Sequence, residues 1–461
     1  MTETMPKASG EGAPATREAR FVTGSTKRHV LVMTLTGAVG LMAVFLVDLL
    51  NLFFLSQLGD IAITAAIGYA GALSFINLSF SLGTGVAAAA LIARNMGAGN
   101  VEAARRFATN SLVFAFATSS LLSGGMALFA EPLLKLLGAH GEALALAKLY
   151  FWTVSVSFPL LAASIACSFS LRGIGDPVRA MHVTLSAAVV DGCLAPLFIF
   201  GFGLSIQGAA LSIIFAEVAS LVFGLLGIVR HHRFLVPFTW VGFRDDLKPI
   251  LNIASAAVMT QLATPFAVAW MTRVIAHYGD EAVAAATIVN RLIPVAFGIV
   301  FSLSGAVGPI IGQNFGAGRM ERVKQSLTDA FLFAGAYTLL TSAVLFALRH
   351  VIPDLFRVEG EAAALVTFYC TWLAVTWCFS GAQFVAQAAF NNLGRPHWST
   401  IAGWGRATIG TIPFIHVGGL LAGAEGVLVG SAAGSVLFGF LAAATAYWLV
   451  HSLARSPHPG A

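Results

Sequence analysis

Apolar residues run along this chain in long blocks without the strict alternation of a half-buried strand. The stretch from Ile61 to Ala93 contains no charged residue, and about 20 apolar residues suffice to cross a bilayer as a helix. Such blocks favour membrane helices over a β-barrel, whose strands are alternating segments of about ten residues. The pattern predicts twelve spans, with approximate limits 30–57, 61–93, 107–130, 143–171, 180–201, 204–229, 249–278, 282–312, 326–348, 362–390, 398–421 and 426–450. Extra length in several of them permits tilt or a break.

A second pattern is laid over the first. GDIAITAA at Gly59 returns as GDEAVAAA at Gly279, NMGAGNVEAARR at Asn95 as NFGAGRMERVKQ at Asn314, and LRGIGDP at Leu171 as FNNLGRP at Phe390. Three matches at nearly one interval mean two copies of one unit of about 200 residues. Each copy holds six predicted spans. An even number brings the second copy into the membrane from the same side, so the repeats are parallel and not inverted. In a membrane chain, such a repeat points to a transporter with its pathway between the halves.

Composition agrees: 57% of residues are hydrophobic and 10% charged, against about 25% charged in a soluble domain. Residues 1–29 depart from it, with Pro, Gly, Ser, Thr and charges, and read as a disordered tail. The expected organisation is therefore a tail over 1–29, a six-helix lobe over 30–229, a linker over 230–248, a second lobe over 249–450 and a tail over 451–461. No short apolar region with a small-residue cleavage site precedes the first span, so no signal peptide is expected. Most of the 26 Lys and Arg fall in the tails and in alternate loops. The opposite loops hold Lys135, Lys148, Arg349 and Arg357. The positive-inside rule then makes both termini cytoplasmic. The basic balance describes topology, and no nucleic-acid partner is expected. Cys167, Cys193, Cys370 and Cys378 all lie in apolar runs and read as packing residues. His231 and His232 stand together in the basic linker, but no spaced set of further ligands accompanies them, so no metal site is expected.

Charges inside spans are costly and tend to face a cavity or a partner. In the first copy they are Asp48, Asp191 and Glu217; in the second they are Arg273, Arg291 and Arg406. Asn51 follows Asp48 by three residues and shares its helix face. A carboxylate in a cavity of low dielectric can exchange protons near neutral pH, or hold a monovalent cation with neighbouring oxygens. Asp191 precedes Pro196, which removes a backbone hydrogen bond near it. Glu217, in the sixth span, is either a third member of that site or a structural acid. Gln261, Asn290 and Arg291 add polar groups to the second copy. Gln383, Gln387 and Asn391 recur every fourth residue as one stripe. That stripe either lines a cavity or bonds helices together.

Taken in order, LVDLLNLFFLSQLGD with AAIG after it, the two GAG loops, LRGIGDP, LFIFGFGLSIQGAALS and IIGQNFGAGRMERV resemble the multidrug and toxic compound extrusion (MATE) transporters. The resemblance runs from about Arg28 to Val450. It implies an all-α fold of two six-helix lobes set in a V, exchanging an organic cation or similar drug for H+ or Na+. Asp48 matches the family's first-span acid. The family's fifth span commonly carries Asn, then Asp four residues on and directly before Pro. Here Asp191 stands in the Asn place and Ala195 in the Asp place, while Ser212 takes the place of a sixth-span Thr. The acid has thus moved one helical turn, about 5.4 Å, which disturbs the usual Na+ arrangement and favours H+. The ion-coupling set expected is Asp48, Asn51, Asp191, Ser212 and Glu217. The cavity set is Gln261, Asn290, Arg291, Gln383, Gln387 and Asn391.

The functional expectation is a monomeric antiporter of the inner (plasma) membrane, in contact with lipid and needing no cofactor. A lipid-linked saccharide flippase of the wider superfamily is the alternative; such proteins typically have basic cavities and often fourteen spans. An intramembrane enzyme would need convergent nucleophile, acid or metal ligands. The histidines near span ends, His29, His182, His277 and His416, form no such cluster.

Overall fold

A computed structural model describes residues 19–56 and 61–455. Every regular element among them is helical. Ten helices are long and apolar enough to cross a membrane, and eleven if Gly141–Ser155 and Phe158–Ile174, bent by 47°, form one fourth span. The twelfth is contained in Ile412–Arg455. Ala422 (φ −145°) and Gly423 (φ 58°, ψ −139°) leave the helical region there. On the two sides of that break the backbones touch. A Cβ added to Gly418 would lie 2.0 Å from the Gly426 oxygen, one on Gly430 2.2 Å from that of Phe414, and one on Gly434 1.4 Å from that of Gly410. These pairs run antiparallel about Ala422, so the chain doubles back there: His397–Ala407 and the stretch up to Ala422 make the eleventh span, and the rest of the helix makes the twelfth. Small residues let membrane helices approach this closely.

The helices outrun their hydrophobic blocks. The second and eighth spans, Ile61–Gly97 and Asp280–Gly316, are each 37 residues long. Hydropathy marks the part in lipid, whereas the helix continues until the backbone is made to turn. Gly99 (φ 75°) and Gly318 (φ 70°) make that turn in the two GAG loops, at a φ that costs glycine little. The linker expected over 230–248 is shorter for a related reason. The seventh span, Trp240–Ile275, already begins inside it. Asp246, 2% exposed, accepts from Arg106 Nε (2.9 Å) and Nη2 (2.8 Å) and from Asn110 Nδ2 (2.8 Å). Pairing lets these polar residues continue a helix that composition alone had ended.

Both tails are also narrower than expected. Residues 1–18 and 456–461 lie outside the described residues, but Arg20–Val22 form a 3₁₀ turn, the first span begins at Thr26, and the last helix reaches Arg455. Phe21 is 2% exposed. A single aromatic anchor of this kind is invisible to average composition. Gly59, which opened the first repeat motif, also falls outside the described residues.

The first span, Thr26–Ser56, is shared between the two copies. Its early part packs in the second copy: Val30 and Met33 join the cluster of Leu303, Ala306 and Val307, and Ser302 Oγ donates to the Thr34 oxygen (2.9 Å). Its later part packs on the fifth span. A Cβ on Gly40 would lie 2.1 Å from Thr184 Oγ1, and one on Gly192 3.5 Å from Val47.

The two GAG loops meet at the basic end of the molecule. A Cβ on Gly97 would lie 2.0 Å from the Gln313 oxygen, and one on Gly316 2.0 Å from the Arg94 oxygen. The same glycine in each copy thus admits the backbone of the other. Around this reciprocal contact gather the hydrogen bonds that join the halves, including Gln313 Nε2 to the Gly173 oxygen (2.8 Å). The molecule is closed on this face.

Candidate functional site

The polar centre of the first copy is built around Asp191, 8% exposed on the fifth span. Asn51 Nδ2 donates to its Oδ2 (2.8 Å) and Ser212 Oγ to its Oδ1 (2.6 Å). Three helices therefore converge on one carboxylate. Ser212 is fully buried, and its hydroxyl also lies within reach of the Ala209 oxygen (2.8 Å). Pro196 ends the regular part of the fifth span, and Leu197–Gly201 continues as a wider π turn. Such turns frequently occur at functional sites. Ala195, at the place where the resemblance expects an acid, is fully buried.

Asp48 lies one turn before Asn51 on the same face and is exposed. It is close enough to Asp191 for their charges to interact. Glu217, half-buried, accepts from Ser164 Oγ (3.1 Å) and also feels Asp191. All five expected ion-coupling residues thus fall in one neighbourhood. One further neighbour was not legible in the sequence: Tyr150, 8% exposed on Gly141–Ser155, is within electrostatic reach of both Asp191 and Asp48. A lone tyrosine in an apolar helix carries no spacing signal. The group can trade its neutral donors for a proton. It can also gather a monovalent cation, for which Asn51 Oδ1, buried and without a hydrogen-bond partner, is the spare oxygen.

The second-copy residues divide. Asn290 and Arg291 are exposed, and Gln261 and Gln387 are half-buried. Gln383 and Asn391 are buried and bonded to the eleventh span: Gln383 Nε2 donates to the Ala402 oxygen (2.9 Å), and Ser399 Oγ to Asn391 Oδ1 (2.9 Å). For these two, the geometry is that of bonds between helices, the second of the readings left open above. Arg406 Nη2 reaches Thr264 Oγ1 (3.4 Å), and the Arg273 guanidinium lies 5.8 Å from the Trp270 ring centre.

The histidine pair has a third neighbour that the sequence did not reveal. Ligand atoms of Asp176, His231 and His232 lie within 4.8 Å of one another. His232 Nε2 is 2.8 Å from Asp176 Oδ2, and Arg179 pairs with the same oxygen. Asp176 also caps the fifth span through the Arg179 amide (3.2 Å). Its charge is met by a fixed cation, so the cluster is an ion-pair network tying the linker to the first copy. Burial pushes the Asp176 carboxyl up, but His232 and Arg179 hold it well below the ordinary 3.8.

The MatE family model matches the chain twice, over residues 38–197 and 256–415, one match in each copy. The chain belongs to the MATE family. A FAD transporter of Shewanella oneidensis is 30% identical over 418 residues, covering 89% of this chain and 92% of that protein. The multidrug export protein MepA of Staphylococcus aureus is 24% identical over 402 residues, 85% of this chain and 86% of that protein. The crystal structure of a mutant of VcmN, a MATE transporter of Vibrio cholerae, superposes with a TM-score of 0.88 at 23% identity, covering 94% of this chain and 98% of that one. This MATE protein is thus a multi-pass membrane transporter with two repeated lobes.

Proposed function

We propose that this protein is a secondary antiporter that expels a small organic molecule in exchange for H+ or Na+, with H+ favoured. One observation carries the reading. The buried Asp191 carboxylate, flanked by Asp48 and Glu217, is held by Ser212 and by Asn51, and Asn51 lies on the first span, the helix that also forms the seam between the halves. Asn51 reports the ion on the later part of the first span, and Thr34 meets Ser302 of the second copy on its early part. Ion binding at one end can therefore bias lobe packing at the other. An ion shifts such an equilibrium only by its difference in affinity for the two states. With the basic face taken as cytoplasmic, the closed seam corresponds to an outward-facing state. Of the cavity set, Gln261, Asn290, Arg291 and Gln387 are left to meet the substrate.

The substrate class follows from charge in two readings. Organic cations and amphipathic drugs suit the acids of the first copy and the relative named a multidrug export protein. An anionic flavin suits Arg291, exposed on the eighth span, and the relative named a FAD transporter. Purified protein in liposomes decides both questions. Efflux of a fluorescent cation and of FAD is followed under a pH gradient and, separately, under a Na+ gradient. Asp48→Asn is expected to abolish gradient-driven efflux of whichever compound moves. Undiminished transport by that variant refutes the coupling site.

A further inference from the structure

We propose that residues 20–26 form a latch that holds the two halves closed on the basic face, and that its release is a step of the transport cycle. The inference rests on the two-lobe antiport reading but uses none of the ion-site residues.

Phe21 is the bolt. Its backbone N–H donates to Gln313 Oε1 (2.9 Å), and its oxygen accepts from Asn314 Nδ2 (3.2 Å) and Arg322 Nη2 (3.0 Å). Its ring belongs to the second-copy cluster of Ile310, Val323 and Leu327. Further bonds fasten the strap to that copy: Arg319 Nη1 to the Val22 oxygen (2.7 Å), Arg322 Nη1 to that of Gly24 (3.1 Å), and Thr26 to Asp329. A simple anchor would stop there. This strap also reaches the first copy. Arg20 Nη1 donates to the Gly175 oxygen (3.0 Å), and a Cβ on Gly175 would lie 3.5 Å from the tip of the Phe21 ring. Gln313, which receives the Phe21 amide through Oε1, uses Nε2 to hold the Gly173 oxygen (2.8 Å). One side chain therefore joins the strap to both halves at once.

Separating the halves on this face must break the bonds to Gly173 and Gly175 and uncover one side of Phe21. The bonds to Arg319 and Arg322 lie within the second copy and can survive. The latch thus favours the closed face without tethering the open one.

The test measures the opening directly. Glu102→Cys and Glu321→Cys, both exposed near this face on different copies, carry spin labels, with the less buried Cys193 and Cys378 changed to Ala. Phe21→Ala keeps the backbone bonds and removes the ring, and is expected to raise the ratio of the long, open distance to the short, closed one about tenfold, as loss of part of a buried aromatic contact would. Phe21→Leu should stay near the unmodified protein. Superimposable distance distributions for Phe21→Ala and the unmodified protein overturn the proposal. If Phe21→Ala does not fold, Arg20→Ala takes its place, since Arg20 is exposed and bonds to Gly175. It should shift the ratio in the same direction by a smaller factor, and no shift overturns the proposal. The distances are read with no transported compound present, so failure of the latch and failure of the antiport reading are separate results.

Discussion

Replacing Gly97 with Ala adds one methyl group where two copies of the same turn cross. That carbon would lie 2.0 Å from the Gln313 oxygen and 2.7 and 2.8 Å from the carbonyl and α carbons of the same residue. Favourable carbon contacts begin near 3.5 Å, so the backbones must part by at least about 1 Å. The obstacle is helix backbone on both sides, which cannot rotate away as a side chain would. Overpacking of this sort costs about 1–3 kcal/mol, and all of it falls on the closed face. The ratio of open to closed molecules should then rise about 5- to 150-fold. The distance between spin labels at positions 102 and 321 reads that ratio. Gly71→Ala supplies the control within the same helix, because nothing lies within 4 Å of its added carbon. There the same substitution should leave the distances unchanged and stabilise the helix by about 0.5–1 kcal/mol. Gly316→Ala, facing the Arg94 oxygen at 2.0 Å, should behave as Gly97→Ala does. If Gly97→Ala stays as closed as Gly71→Ala, the reciprocal contact does not hold the face shut.

Two further outcomes follow from bonds already described. Ser212→Ala removes a 2.6 Å donor from the Asp191 carboxylate, a charge-assisted bond worth about 1.5–3 kcal/mol; the ion concentration giving half-maximal exchange in liposomes should move by about tenfold or more, and an unchanged value separates Ser212 from coupling. Asp176 has a depressed carboxyl pKa in the folded protein, so its stabilisation is present above the ordinary carboxylate range and is lost as pH falls through and below about 4. The thermal stability gap between the unmodified protein and Asp176→Asn should hold from about pH 5 to 8 and shrink progressively as pH falls below about 4; a gap as large at about pH 2 as at about pH 7 refutes the ion-pair reading.

Membrane helices were readily legible because an apolar block is a local property. Twelve blocks led to twelve spans, the last two meeting at the break at Ala422 and Gly423. The acids were legible for the same reason: Asp48, Asp191 and Glu217 stand out against apolar neighbours. What escaped depended on partners distant in sequence. Gly97 and Gly316 were visible as repeated letters, but nothing local says that each makes room for the other. Phe21 is one aromatic in a polar tail, and it is held by Gln313 and Asn314, 292 and 293 residues away. The stripe of Gln383, Gln387 and Asn391 fixed a helix face, yet only the position of Ala402 and Ser399 assigned Gln383 and Asn391 to helix bonding.

The last two spans bear on how the protein is made. Their contacts pair Gly410 with Gly434, Phe414 with Gly430 and Gly418 with Gly426, all across one short break. Contacts so near in sequence need little chain entropy to form. In a bilayer, where helices associate by close packing after each has inserted, this hairpin can assemble without waiting for the other ten spans. It would then dock as a finished piece. Damage to its glycines should be felt first in biogenesis, as protein that inserts but fails to mature, before any effect on the rate of transport.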